Sequence, residues 1–279
     1  MREFAEAQHL SRPEKPMILA ADNLRITRPA IAQAVQRLDP EPIRQLVMAC
    51  EAAGAEAIDI NCGPLYRDTQ EKMDFLVQTV QSATRLPLIL DTANPQAMAA
   101  GLKAGRNPMI INGFSLQPVK CETILPLARI HGCRIIGYLL RKDGHVPADG
   151  IERLDLALAL YDAFSQAGLE NEQLIIDPVI VPLTWQGGNL QDRQVLTVLN
   201  RLPDLLGFAV DTIAGLSNLT AGATDAAQRR MMEQTYLAML GGAGLSMALC
   251  DCLRPELVRT AHAVKALMQV DVFAWQALA

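Results

Sequence analysis

Short runs of consecutive apolar residues alternate along this chain with longer segments in which apolar residues return every three or four positions. The short runs lie at residues 17–22, 55–61, 86–92, 107–115, 133–140, 173–181, 207–217 and 246–251. Apolar on both alternating faces, they predict strands covered on two sides. Between them, Ile43, Leu46, Val47 and Cys50 follow the spacing of a helix with one buried face, as do Met73, Leu76, Val77 and Val80. Gly54, Gly105, Gly132 and Gly168 precede the next strand, where a left-handed helix end is easiest without a side chain. Eight such units predict an α/β fold whose parallel sheet closes into a single (β/α)8 TIM barrel. A doubly wound open sheet would want a glycine-rich phosphate loop, and neither GxGxxG nor GxxxxGK[ST] occurs. The polar start, residues 1–15, reads as an N-terminal arm and residues 16–279 as the barrel domain.

The strand ends break the apolar pattern in a consistent way. In IDINCGPLYRD, residues 58–68, Asp59 and Asn61 share one face of a strand while Ile58 and Ile60 share the other. Other runs also end in acids or amides: Asp22, Asp91, Asn112, Asp177, Asn218 and Asp251. One such end is an ordinary polar turn. A set of them at the C-terminal ends of barrel strands, where such barrels keep their active sites, predicts a ring of carboxylates and amides facing a ligand. Oxygen ligands alone could hold a divalent cation. The alternating amides, and the lack of a clustered motif among His9, His131, His145 and His262, favour an organic ligand with a guanidine-like edge, such as a pterin. No bound metal is expected.

Composition narrows the class. Half the residues are hydrophobic and 20% are charged, enough apolar material for a large core. A net charge of −5 without a dense basic cluster argues against nucleic acid as a partner. No apolar stretch is long enough to span a bilayer and the start lacks a signal-peptide pattern, so no membrane association and a cytoplasmic location are expected. The six cysteines form no CxxC pair and sit mostly in apolar runs, as reduced buried thiols do.

The segments LDTANPQAMAAGLKAG, MIINGFS, IIDPVIVP and GLSNLTAG, in that order and with DINCGP ahead of them, resemble the methyltetrahydrofolate:corrinoid methyltransferases of the pterin-binding barrel family. The resemblance runs from about Met17 to the C-terminus. It implies that Asp91, Asn112 and Asp177 hold the pterin and that Asn218, the catalytic candidate, reaches the reacting nitrogen. It further implies that Arg229 lines the site, beside the ring candidates Asp59, Asn61 and Asp22. Tetrahydrofolate or methyltetrahydrofolate is then the substrate, the corrinoid (cobalamin) arrives on a separate corrinoid protein, and a homodimer is expected. Departures from the family pattern are Asp22-Asn23 in place of a Glu-Arg pair, Gly113 in place of a Ser, and Glu233-Gln234 in place of an Asn-Arg pair. The alternatives are a non-catalytic folate or pterin-binding barrel and an enzyme like dihydropteroate synthase. The latter would carry an RxH motif on the last strand, where this chain has SMALCDCLRPE.

Some features read as structural. His145 in KDGHVPADG is an exposed loop histidine, Cys250 and Cys252 are packing residues, and Met231, Met232 and Met239 belong to the buried face of a helix. Trp185 in VPLTWQGGN either walls the pocket or covers the barrel edge.

Overall fold

Eight parallel strands pair in sequence order and close on themselves: β1 Ile18–Arg25, β2 Ala57–Asn61, β3 Leu88–Asp91, β4 Met109–Phe114, β5 Arg134–Tyr138, β6 Leu174–Asp177, β7 Asp211–Gly215 and β8 Met247–Cys250. Around them lie α1 Pro29–Arg37, α2 Glu41–Ala52, α3 Thr69–Ala83, α4 Pro95–Ala104, α5 Pro118–Thr123, α6 Leu125–His131, α7 Gly150–Gln166, α8 Gly188–Leu206, α9 Ala226–Gly242 and α10 Pro255–Met268. The chain is a single (β/α)8 barrel, seen in a computed structural model that describes residues 16–61, 63 and 68–268. The predicted arm, His9, Cys62 and residues 269–279 lie outside the described residues.

Every predicted strand forms. The helical layer is less regular than one helix per unit, because α1 and α2 both precede β2 and α5 and α6 both precede β5. Proline explains the second break. Pro126 has no N–H to continue α5, yet it is tolerated in the first turn of α6.

The core has two parts. Outward-facing strand residues such as Ile58, Ile60, Leu88 and Leu90 pack against the helices. Inside the barrel, Ala20, Ala57, Ile89, Ile110, Ile136, Ile175, Ile213 and Met247, one from each strand, form a closed apolar floor. Because a strand repeats every two residues, the next inward positions toward the C-terminal mouth are Asp22, Asp59, Asp91, Asn112, Tyr138, Asp177, Gly215 and Leu249. The polar ring is thus the second layer of the barrel interior, resting on the apolar first.

Two local expectations are corrected. Gly54, Gly132 and Gly168 have φ of 104°, 59° and 74°, as predicted for helix ends, but Gly105 is extended at φ −66°. A Cβ at Gly105 would lie 2.7 Å from Met109 Sδ, so the methionine side chain packs into the space the glycine leaves and no left-handed turn is involved. Met231, Met232 and Met239 are exposed at 60%, 37% and 45%, not buried. Helix α9 turns Glu233, Tyr236, Leu237 and Leu240 inward, and the methionines fall off that stripe.

Asn94 in LDTANP caps α4, its Oδ1 accepting from the backbone N–H of Gln96 at 2.9 Å and Ala97 at 3.2 Å. We expect Asn94→Ala to cost about 1 kcal/mol, read as a lower urea midpoint with an unchanged slope. An unchanged midpoint would remove the capping role.

Candidate active site

Strand register sets the ring members side by side. Asn61 pairs in register with Asp91 and Asp91 with Asn112, while Tyr138 pairs with Asp177 across β5 and β6. Asn61 Nδ2 donates to Asp91 Oδ2 at 2.5 Å, and the Tyr138 hydroxyl donates to Asn112 Oδ1. With its oxygen engaged, the Asn112 amide turns its Nδ2 donor elsewhere. A Cβ at Gly113 would sit 2.2 Å from the Ile136 carbonyl oxygen, so a side chain there would require the backbone to shift.

The ring is electrostatically loaded. Asp59 is buried with its Oδ1 unpartnered, and burial, reinforced by the Asp91 and Asp22 carboxylates, pushes its pKa well above the ordinary range. Burial lifts Asp91 to about 6, partly opposed by Lys120. Asp22 is raised chiefly by burial although Arg25 lies 3.4 Å away and Ser217 donates to it at 3.3 Å. Burial lifts Asp177 to about 7, opposed by the Val179 N–H at 2.7 Å and by Arg153. Several raised acids gathered in one layer at the mouth of the barrel mark a candidate functional site. Among the described residues, no group of three or more His, Cys, Asp or Glu is arranged to hold a metal ion.

Asp177 is oriented from behind. Arg153 on α7 is wholly buried; its Nη1 donates to the carbonyls of Pro178 at 2.6 Å and Val179 at 2.9 Å, and its Nε to Pro147 at 2.9 Å. These bonds and the Asp177 carboxylate hold Val179 at φ 64°. That conformation costs a β-branched residue about 1–3 kcal/mol and persists only when its surroundings enforce it. Sequence reading missed Arg153 and Tyr138, though both left a signal. Arg153 interrupts the apolar stripe continued by Ala157, Leu160 and Phe164, and Tyr138 is in period-two register with the floor residue Ile136.

The remaining candidates divide. Asn218 ends a short 3-10 turn, Leu216–Asn218, directly after β7, and its side chain is exposed at the mouth. A Cβ on Gly215 would lie 3.2 Å from Asn218 Nδ2, so the missing side chain in the ring leaves room for that amide. Arg229 is on α9, half exposed and 4.0 Å from Glu233, outside the ring. Asp251 is committed to structure. It accepts from Asn23 Nδ2 and the Leu253 N–H, and pairs with Arg28 at 3.6 Å. Asn23 also accepts from the Cys252 N–H at 3.0 Å, so this pair joins the first strand to the turn after the last. His145 is exposed, Cys250 and Cys252 are buried, and Trp185 is 52% exposed at the rim.

Comparison with known proteins gives the chain's family and fold. The Eubacterium limosum methylcorrinoid:tetrahydrofolate methyltransferase is 22% identical over 259 residues, covering 91% of this chain and 92% of that protein. Methionine synthase of Mycobacterium tuberculosis is 23% identical over 208 residues, covering 70% of this chain and 17% of that protein. Among solved structures, a Xanthomonas albilineans dihydropteroate synthase with 4-aminobenzoic acid superposes with a TM-score of 0.67 at 18% identity, covering 92% of this chain and 95% of that one. The Stenotrophomonas maltophilia dihydropteroate synthase has a TM-score of 0.65 at 18% identity, with the same coverage. At such identities the superpositions speak for the fold alone. The pterin binding enzyme family itself matches residues 26–251, most of the barrel including every ring position but Asp22, and the chain belongs to that family.

Proposed function

We propose that the protein transfers a methyl group between nitrogen-5 of tetrahydrofolate and the cobalt of a corrinoid. The observation that carries this reading is the ring layer itself: Asp91 beside Asn112, Asp177 one strand further on past Tyr138, and the Asn218 amide over the gap at Gly215. An ionised carboxylate accepts two parallel N–H bonds from the amino-pyrimidine edge of a pterin, and an amide both donates and accepts beside it. With that edge on β3, β4 and β6, nitrogen-5 comes under Asn218 after β7.

In the transfer the methyl carbon leaves nitrogen-5 as the cobalt supplies the bonding electron pair, and the nitrogen keeps its own. The chain's residues hold the pterin, orient nitrogen-5 and stabilise it as its lone pair returns. Aligning two bound reactants also removes much of the entropy of encounter. The corrinoid is a co-substrate presented by a corrinoid protein, as the name of the Eubacterium limosum relative suggests. We also propose a homodimer, which a sedimentation mass of one chain would contradict, and a cytoplasmic setting. The free Cys50, Cys121, Cys133, Cys250 and Cys252 suit a reducing compartment; among the described residues no helix is long and apolar enough to cross a membrane.

The test is direct. Purified protein mixed with methyltetrahydrofolate and free cob(I)alamin should generate the visible spectrum of methylcobalamin. Pterin binding without that change would leave a binding barrel. Turnover of a dihydropterin diphosphate with 4-aminobenzoate would replace the reading with a synthase.

A further inference from the structure

Tyr138 on β5 stands in the ring between Asn112 on β4 and Asp177 on β6, and it pairs in register with the latter. Its side chain packs on the apolar floor of the barrel. The strand that carries it is paired on both edges, and the next residue, Leu139, donates its N–H to the Asp177 carbonyl at 3.0 Å. The hydroxyl is therefore held in place from below. It donates to Asn112 Oδ1. Burial, reinforced by the Asp91, Asp177 and Asp59 carboxylates, pushes the phenol well above its usual range, so it keeps the proton it donates. A side-chain amide has one accepting end and one donating end. Because Tyr138 engages the oxygen of Asn112, the end presented to a ligand is the donor, Nδ2. From β3 to β6 the layer then reads as an acceptor at Asp91, a donor at Asn112 and an acceptor at Asp177.

We propose that Tyr138 is a positioning residue that fixes Asn112 as a hydrogen-bond donor to nitrogen-1 of the pterin. The inference rests on the pterin reading above and deepens it. Around the perimeter of a tetrahydropterin, nitrogen-8 bears a hydrogen, nitrogen-1 offers a lone pair, and the 2-amino group and nitrogen-3 bear hydrogens. The oxygen on carbon-4 and then nitrogen-5 follow. That row of donor, acceptor and donor complements Asp91, Asn112 and Asp177 taken in strand order, and nitrogen-5 comes next as Asn218 does after β7. With the amide reversed, Oδ1 would face the nitrogen-1 lone pair, and the site would offer acceptors only. A free amide has little to choose between the two orientations. The phenol makes the choice before the ligand arrives, which removes an ordering cost from binding.

A double-mutant cycle read by calorimetry, with methyltetrahydrofolate and tailless 6-methyltetrahydropterin as probes, tests this. Tyr138→Phe keeps the aromatic ring and removes only the hydroxyl, and it should weaken both probes about tenfold. In an Asn112→Ala background the same change should alter affinity by less than about twofold, because no amide is left to orient. Asn112→Asp gives a second reading that leaves Tyr138 in place, so a folding defect in Tyr138→Phe does not remove the test. The phenol donates to a carboxylate as readily as to an amide, but residue 112 then has no donor for nitrogen-1. Asn112→Asp should therefore bind no better than Asn112→Ala. Losses of equal size from Tyr138→Phe in both backgrounds would make the tyrosine a packing residue or a direct ligand contact and overturn the proposal. Unchanged affinity in Tyr138→Phe, or binding by Asn112→Asp close to that of the unaltered protein, also overturns it. In each of these cases the unaltered protein still binds the probes and the pterin reading stands. Failure of the unaltered protein to bind either probe overturns both.

Discussion

Asp177→Ala should weaken methyltetrahydrofolate binding by about 2–5 kcal/mol, roughly thirty- to several-thousandfold in Kd. This buried carboxylate has one oxygen fixed by the Val179 N–H and stands on a loop clamped by Arg153. Removing it leaves the ligand's donors without an acceptor in a dry site. The same residue predicts a pH dependence. In the free protein burial lifts Asp177 to about 7 from an ordinary 3.8, so at acid pH it must lose a proton before it can accept from the pterin. Affinity should therefore rise by up to about tenfold per pH unit until pH reaches about 7, then level off. Stability of the free protein moves the other way. Below pH 4 the group is protonated in both folded and unfolded chains and carries no penalty. Between pH 4 and 7 the unfolded chain ionises first, so this group's contribution to stability is lost as pH rises. Asp177→Asn should gain stability relative to the unaltered protein across that window while losing the pterin. Unaltered affinity in Asp177→Ala, measured by calorimetry, would refute the assignment.

For Asn218→Ala, a nearly unchanged Kd for methyltetrahydrofolate should accompany a hundred- to thousandfold fall in kcat. An amide is too weak an acid to transfer a proton outright, so its contribution to the reaction would be a preorganised dipole. That dipole strengthens its bond to nitrogen-5 as the lone pair returns. Contacts made mainly in the transition state lower kcat and leave ground-state binding nearly alone. The exposed position of Asn218 over Gly215 suits this role, because little packing is lost when the amide is removed. Equal falls in affinity and rate, or a rate within a few-fold of the unaltered protein, would make Asn218 a turn or pocket residue.

The eight strands and the positions of Asp22, Asp59, Asp91, Asn112 and Asp177 were legible in the linear chain. Strand periodicity is local: once Ile89 or Ile175 lies inside, the residue two places on must lie inside as well. The apolar stripes of α2 and α3 are legible for the same reason, each being decided within a few turns of one helix. The linear chain could not separate a strand-end carboxylate of the inner ring from one outside it. Asp251 looks like Asp91 at the end of a run, yet Asn23, 228 residues away, takes it for the seam where the first strand meets the last. Tyr138 sets the Asn112 amide from the next strand, and Arg153 holds the Asp177 loop from a helix on the outer layer. Arg229, Arg230 and Arg254 gather around one hollow only because α9 and α10 start side by side. Such partnerships depend on distance and burial between remote segments, quantities that exist only after the sheet has closed, whereas the alternation that makes each strand is written in neighbouring residues.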